Sequence, residues 1–244
     1  NDVMVAYGWL APLVECAVQT GAWAVMPLYF EHLPELSRLH MAGGSAEIGE
    51  ENDGSRYYRE RHYLAHKLLS DVEHPLERHE TGLLEFHTVL LSMEMFDHLG
   101  PLDEGLMCQA EHADLSLLIE QEGHKILVEP ASRITYVPPR KLESTDRDFF
   151  ELRWSEAWIK ETEERFVEKW NLSPQHRELD ASVRWVRQHR RYGSRFGQLL
   201  SRVLGPRLSG AVQFHLLSVF EAQWNRWRYP RRRYGKLPRP SIQV

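Results

Sequence analysis

The nine residues Ala22–Phe30, AWAVMPLYF, are apolar without a break. A run that short, with Thr20-Gly21 before it and charge after it, reads as a buried strand. Toward the N-terminus, Gly8–Gln19 reads as a helix, and Gly21 is placed to stop it. Toward the C-terminus, a polar stretch runs from Glu31 to about Thr81. Within it, MAGGSAEIGEENDG (41–54) reads as a loop from its Gly, Asn and Asp content. Gly43-Gly44 signals flexibility only, since no phosphate-binding helix follows. YYRERHYLAHKLL (57–69) repeats apolar residues at helical spacing.

Further on, LLEFHTVLLSMEMF (83–96) reads as a strand running into a short helix that stops at Gly100-Pro101. LDEGLMCQ (102–109) is a turn. AEHADLSLLIEQEG (110–123) is an amphipathic helix with Leu115, Leu118 and Ile119 on one face and Gly123 as its stop. KILVEP and SRITYVP are two short strands. Strands alternating with helices indicate a layered α/β domain. Asp146–Trp170 reads as one helix rich in aromatics (Phe149, Phe150, Trp154, Trp158, Phe166, Trp170). Beyond Pro174, ELDASVRWVRQHRRYG and SGAVQFHLLSVFEAQWNRWRY read as two more helices, and the final PRRRYGKLPRPSIQV as extended chain.

Hydrophobic residues are 42% of the chain and charged residues 27%, which places it among globular proteins. No apolar run approaches the ~20 residues that span a bilayer. Cys16 and Cys108 form no ligand pattern and read as small buried hydrophobes, so a reducing, cytoplasmic compartment is the expectation. The net charge of −5 is unevenly spread. Residues 175–244 hold 15 Lys/Arg against 3 Asp/Glu, a net of +12, and residues 1–174 hold 15 against 32, a net of −17. Three parts are therefore expected: 1–140, an aromatic-rich helix over 141–174 packing on it, and a basic helical extension over 175–244.

The ordered set NDV followed by GWL, then AWAVMPLYF, then EFHTVLLSMEMFDHLGPLDEGL, then EHADLSLLIEQEGHKILVEPASRITYV resembles the inverting nucleotide-sugar glycosyltransferases of the GT-A fold, family 2 type in particular. The resemblance covers over half the chain. It implies a mixed sheet flanked by helices. It also implies transfer of a sugar from a nucleotide-sugar donor to a hydroxyl acceptor (a saccharide or lipid-linked glycan) with inversion, assisted by Mg or Mn. Asp2 matches the last Asp of the family's Asp-x-Asp metal motif, with Asn1 at the middle position. The strands that cradle base and ribose would then precede Asn1. Where the family has Glu-Asp at an acidic helix start, this chain has Glu111-His112. A non-catalytic domain of the same fold, binding saccharide or a partner protein, is the alternative expectation.

The residue types suit that chemistry. A diphosphate leaving group gains negative charge in the transition state, and a hard divalent ion on oxygen ligands such as Asp2 neutralises it. Inversion needs a general base. His112, Glu111 and Asp114 cluster at a helix start, with Asp114 three residues after Glu111 on the same side of the first turn. By the resemblance His112 occupies the position of the base, a job a neutral imidazole can do, with Glu111 the close second. Capping by acids also favours that position. Asp103 and Glu104 suit acceptor hydroxyls or a turn cap, and Glu85 and His87, on one face of a strand, suit an acceptor pocket. His62 and His66, spaced i, i+4, lack a third ligand and read as a plain helix face. The basic, Trp- and Tyr-bearing C-terminal part suits docking on the acidic body or adhesion to an anionic membrane surface; nucleic acid is the least favoured partner.

Overall fold

Strand β2 (Ala24–Glu31) is buried at every residue, which suits an uninterrupted apolar run covered on both faces. In this computed structural model, residues 2–32, 37–137, 143, 145–173, 178–192, 195–212 and 218–230 are described. β2 pairs in parallel with β8 (Ile126–Tyr136), and short strands share the outer positions. On the far side of β8, β6 (His79–Thr81) takes residues 126–128 and β1 (Val3–Val5) takes residues 134–136, both antiparallel. On the far side of β2, β7 (Leu90–Leu91) takes Ala24–Val25 and β3 (Leu39–Met41) takes Tyr29–Phe30. Helix α1 (Leu10–Thr20) buries Leu13 and Cys16 against Ala22, Val25 and Leu127. Gly21 ends it in the left-handed conformation, φ 67°, with its N–H on the Ala17 carbonyl. Helix α2 (Met93–Leu99) follows β7, and α3 (Glu111–Gln121) buries Ala113, Leu115 and Ile119. The class is the expected one, a mixed sheet flanked by helices.

Several local expectations are corrected. Residues 41–54 are not a loop. Gly44–Glu50 is strand β4, paired antiparallel with β5 (Arg56–His62) as a hairpin turning at Glu51–Ser55. Asn52-Asp53-Gly54 supplies the turn, and Glu47 opposite Arg59 and Glu50 opposite Arg56 set opposite charges across the strands. The same pairing overrides the helical spacing of 57–69, so His62 ends a strand. Leu64 and His66, at φ 55° and 63°, make the turn beyond it.

In 83–96, only Leu90–Leu91 is strand, and residues 83–89 are irregular chain. The two strands expected from KILVEP and SRITYVP are one strand, bulged where they were separated. Pro27, which has no N–H to donate, sits opposite Glu129, and the next partner of β2 is Arg133. Glu129 caps the bulge by accepting from Ala131 N–H at 3.0 Å, and Ser132 Oγ donates to the Trp9 carbonyl at 2.7 Å.

The chain divides into two units, Asn1–Asp103 with Glu111–Arg140, and Glu104–Ala110 with Lys141–Val244. The second is helical among its described residues. The single helix expected over 146–170 is two, α4 (Arg147–Arg153) and α5 (Glu156–Lys169). Ser155 breaks the run by capping α5, its side chain accepting from Trp158 N–H. The basic region supplies α6 (Glu178–Tyr192), α7 (Arg195–Val212) and α8 (Ser218–Arg228). Helix α7 was not expected. Its kink at Gly205, φ 74°, stands before Pro206, which restricts the residue ahead of it. The extended chain expected over 230–244 lies, apart from Pro230, outside the described residues.

The unit is joined by charge as well as packing. Buried Glu156 accepts from Arg187 Nε at 2.7 Å. Buried Arg190 donates to both carboxylate oxygens of Glu221 and to the Trp154 carbonyl. Buried Asn225 of α8 accepts from Glu156 N–H at 3.3 Å and donates to the Glu151 carbonyl at 3.2 Å. Cys108, from the excursion Glu104–Ala110, is buried with Ile159, Val183 and Val186. The basic helices thus pack against the acidic α4–α5 stretch. No helix among the described residues is long and apolar enough to cross a membrane.

Candidate functional site

Imidazoles and carboxylates from distant parts of the chain gather in the first unit. β3 contributes His40, flanked by the buried Leu39 and Met41. The irregular segment after β6 contributes Glu85 and His87, the first turn of α3 contributes His112, and β5 contributes Glu60 and His62. One ligand-capable atom from each of His40, Glu85 and His87 lies within 4.8 Å of the others. Asp2 sits at the mouth of β1, where its carbonyl accepts from Val137 N–H at 2.7 Å, close enough for its charge to act on His87.

The segment carrying Glu85 and His87 is irregular but held. Tyr29, fully buried in β2, directs its hydroxyl at the carbonyls of Glu85, 2.9 Å away, and Thr88. Burial pushes that phenol well above its ordinary range, so it stays a donor. Glu85 Oε1 accepts from Phe86 N–H at 2.8 Å, while Oε2 faces His40 Nε2 at 4.0 Å. The His87 ring stacks on Tyr136 of β8 at 4.0 Å and meets His40 nearly edge-on at 5.0 Å.

Strand periodicity places Tyr58, Glu60 and His62 of β5 on one face. Glu60 accepts from Tyr58 Oη at 2.6 Å, contacts His62 Nε2 at 2.7 Å and faces His112 Nε2 at 3.5 Å. These partners fix the charge states. Burial disfavours the His112 cation, but the hydrogen bond to Glu60 and the charges of Glu85, Glu60 and Glu111 outweigh it and raise His112 to about 9. Burial likewise opposes the Glu85 anion, yet the facing His40 ring and the nearby imidazoles of His112 and His87 hold it at about 2. Glu60 is held lower still by His112, His62 and Tyr58. Burial pushes His87 below its ordinary value. The site therefore presents ionised carboxylates, a cationic His112 and a His87 inclined to be neutral.

Of the residues selected from sequence, Glu85, His87 and His112 meet here, with Asp2 beside them. Glu111 and Asp114 share the first turn of α3, where Asp114 is buried and Glu111 half-buried. Asp103, half-buried, ends the first stretch of the first unit, and Glu104, exposed, opens the excursion belonging to the second. Glu85 and His87 are neighbours through a clamped turn, not through strand periodicity. His62 and His66 serve different carboxylates, Glu60 and Glu31, so they are not a metal-binding pair.

Sequence reasoning missed His40, Glu31, Glu60 and Tyr136. Ten of the 13 histidines lie before residue 125, a concentration that no local spacing explains and that pointed to this unit.

No protein-family model matches the chain, and no curated protein matches it. Among solved structures, it is similar to GalNAc-T7 crystallised with UDP, GalNAc and Mn2+, at 20% identity and a TM-score of 0.38. The match covers 55% of this chain and 26% of that one, about a quarter of its length.

Proposed function

We propose that the first unit is the acceptor side of an inverting, nucleotide-sugar-dependent glycosyltransferase. The observation that carries this reading is convergence. Glu85 and His87, selected from sequence as acceptor-pocket residues, and His112, selected by the family resemblance, meet in one place with the charge of Asp2 acting on His87.

In the proposed reaction, Glu111 takes the proton of the acceptor hydroxyl. The freed oxygen attacks the anomeric carbon, and the bond to the nucleoside diphosphate breaks with its electron pair on the leaving oxygen. His112 is not suited to accept that proton, because its neighbours keep it charged up to a pH of about 9. It is suited to stabilise the negative charge that develops on the leaving group. Glu85 and His87 offer a hydrogen-bond acceptor and a mixed donor–acceptor for acceptor hydroxyls. A divalent ion, when bound, supplies charge neutralisation at the diphosphate. Asp2 fits that role, since such ions are held by one or two carboxylates with the substrate's phosphate oxygens completing the shell.

The test is release of nucleoside diphosphate from a panel of nucleotide-sugars by the protein in its full natural length, supplied with saccharide acceptors and Mn2+. Activity is expected to fall on the alkaline side as His112 loses its proton near pH 9. His112→Ala is expected to lower kcat about 100-fold or more. A rate that instead climbs through pH 9 would make His112 the base. Saccharide binding with no turnover on any donor would favour the non-catalytic alternative.

A further inference from the structure

The cluster His40–Glu85–His87 has a donor set of its own: two imidazole nitrogens and one carboxylate oxygen, mutually within 4.8 Å. Three atoms at the corners of such a triangle are equidistant from a point about 2.8 Å away. That is ~0.7 Å beyond the zinc–nitrogen bond length. Small side-chain rotations close such a gap, and the backbone need not move.

The surroundings match what a metal-binding imidazole requires. A ligating histidine usually gives its second nitrogen to a carboxylate or carbonyl, which fixes the ring and its tautomer. His40 has that arrangement: Nε2 faces Glu85, while Nδ1 faces Glu31 Oε2 at 3.8 Å. Glu31 is itself buried, its side chain 8% exposed, and is held by Arg38 Nε at 2.6 Å and His66 Nδ1 at 3.0 Å. Glu85 keeps Oε2 toward the cluster because Oε1 is occupied by Phe86 N–H. His87 is oriented by its stack on Tyr136. The backbone between the two ligands is pinned from below by Tyr29.

We propose that His40, Glu85 and His87 form a binding site for a borderline first-row ion of the zinc and cobalt type, with Glu31 as the carboxylate that orients His40. Two imidazoles with one carboxylate favour such ions over Mg2+, which prefers an all-oxygen octahedron. With three protein ligands, a position is left for water or a substrate oxygen. The ion ties β3 to the segment after β6, two stretches of chain that no strand pairing joins. The ion would occupy the Glu85 and His87 atoms otherwise open to acceptor hydroxyls, so an acceptor oxygen would meet the ion at its open position; the site is distinct from the diphosphate-linked role given to Asp2.

The experiment is titration of the metal-free protein with Co2+, followed by visible d–d absorption, and with Zn2+ by calorimetry. Turnover is not needed. One equivalent is expected to bind, with a rise in Tm, and a large excess of Mg2+ should not compete. The histidine NMR signals of His40 and His87 should shift and those of His98, on α2, should not. His40→Gln, His87→Gln and Glu85→Gln should each weaken binding about 100-fold or more, and Glu31→Gln about 10- to 100-fold. His98→Ala, as control, should leave it unchanged. Circular dichroism separates loss of binding from loss of fold, and the NMR comparison on the unaltered protein stands even if a variant does not fold. Absence of binding, equal competition by Mg2+, or unchanged affinity in the His40 and His87 variants would overturn the proposal. Failure here with nucleoside diphosphate release intact would leave the sugar-transfer reading standing, and the reverse holds too.

Discussion

His112 shows how one neighbour decides what a side chain can do. From sequence it occupied the place of a base, since an ordinary imidazole is neutral through much of the physiological range. Glu60, five residues beyond the β4–β5 turn and absent from any motif, reverses that. His112 is raised in the folded chain, so its contribution to stability is complete below ~6.5, the unfolded value, and is lost as pH rises through about 9. Glu60 is depressed, so its contribution is present above its unfolded value, near ~4.3, and is lost as pH falls below it. The two shifts describe one ion pair and are not to be added. Glu60→Gln is expected to bring the His112 titration down by more than one pH unit, read by NMR. It should cost roughly 3 kcal/mol at neutral pH, a loss that shrinks above pH 9 where the imidazole is already neutral. An unmoved titration would mean that Glu60 does not hold the proton. Glu85, His87 and His112 were legible in the sequence because they sit in ordered motifs. His40, Glu31 and Glu60 were not, because only strand pairing brings them there.

Among the elements, those with a local cause were the legible ones. Helix α1 has its glycine stop, β2 its unbroken apolar run, and α3 its leucines and Gly123, although α3 buries Ala113–Leu117 in succession and not the single face of Leu115, Leu118 and Ile119. The hairpin β4–β5 was not legible, because its strands are polar and half-exposed and are defined by each other. Its root also gives Gly43-Gly44 a role that flexibility does not describe. A Cβ on Gly44 would lie 2.3 Å from the Arg61 carbonyl oxygen, and one on Gly43, at φ 84°, 2.6 Å from Thr81 Oγ1. Thr81 Oγ1 accepts from Gly44 N–H at 2.7 Å and donates to its carbonyl at 2.9 Å, joining hairpin to sheet. Since backbone cannot yield as a side chain does, Gly44→Ala should cost about 3 kcal/mol or more, measured by denaturant unfolding. A variant as stable as the parent would show that the hairpin root is loose. The break between α4 and α5 has the same lesson. A continuous aromatic pattern hid Ser155, whose cap only makes sense once Glu156 and Asn225 are seen to meet beside it.

For the molecule as a whole, the charge asymmetry in the sequence divides the chain at 174/175, which falls inside the second unit, where basic α6 and α8 close on α4, of balanced charge, and acidic α5. What it did not reveal is that a few buried polar groups carry the closure. Arg190→Ala would strand Glu221 and the Trp154 carbonyl, and a loss of about 3–5 kcal/mol is expected. Restoration of stability by a second change, Glu221→Leu, would identify the uncompensated charge as the cause; no recovery would place the cost in lost packing. The order of the chain adds a constraint of another kind. Glu104–Ala110 is made before the helices that bury Leu106 and Cys108, and it interrupts the first unit rather than following it. A ribosome emitting this chain therefore exposes an apolar, thiol-bearing stretch that has nowhere to settle until α5 and α6 have emerged, and any version cut after the first unit keeps that stretch uncovered. Synthesis, not the finished structure, is where this arrangement is most vulnerable, to a chaperone's benefit or to an oxidant's.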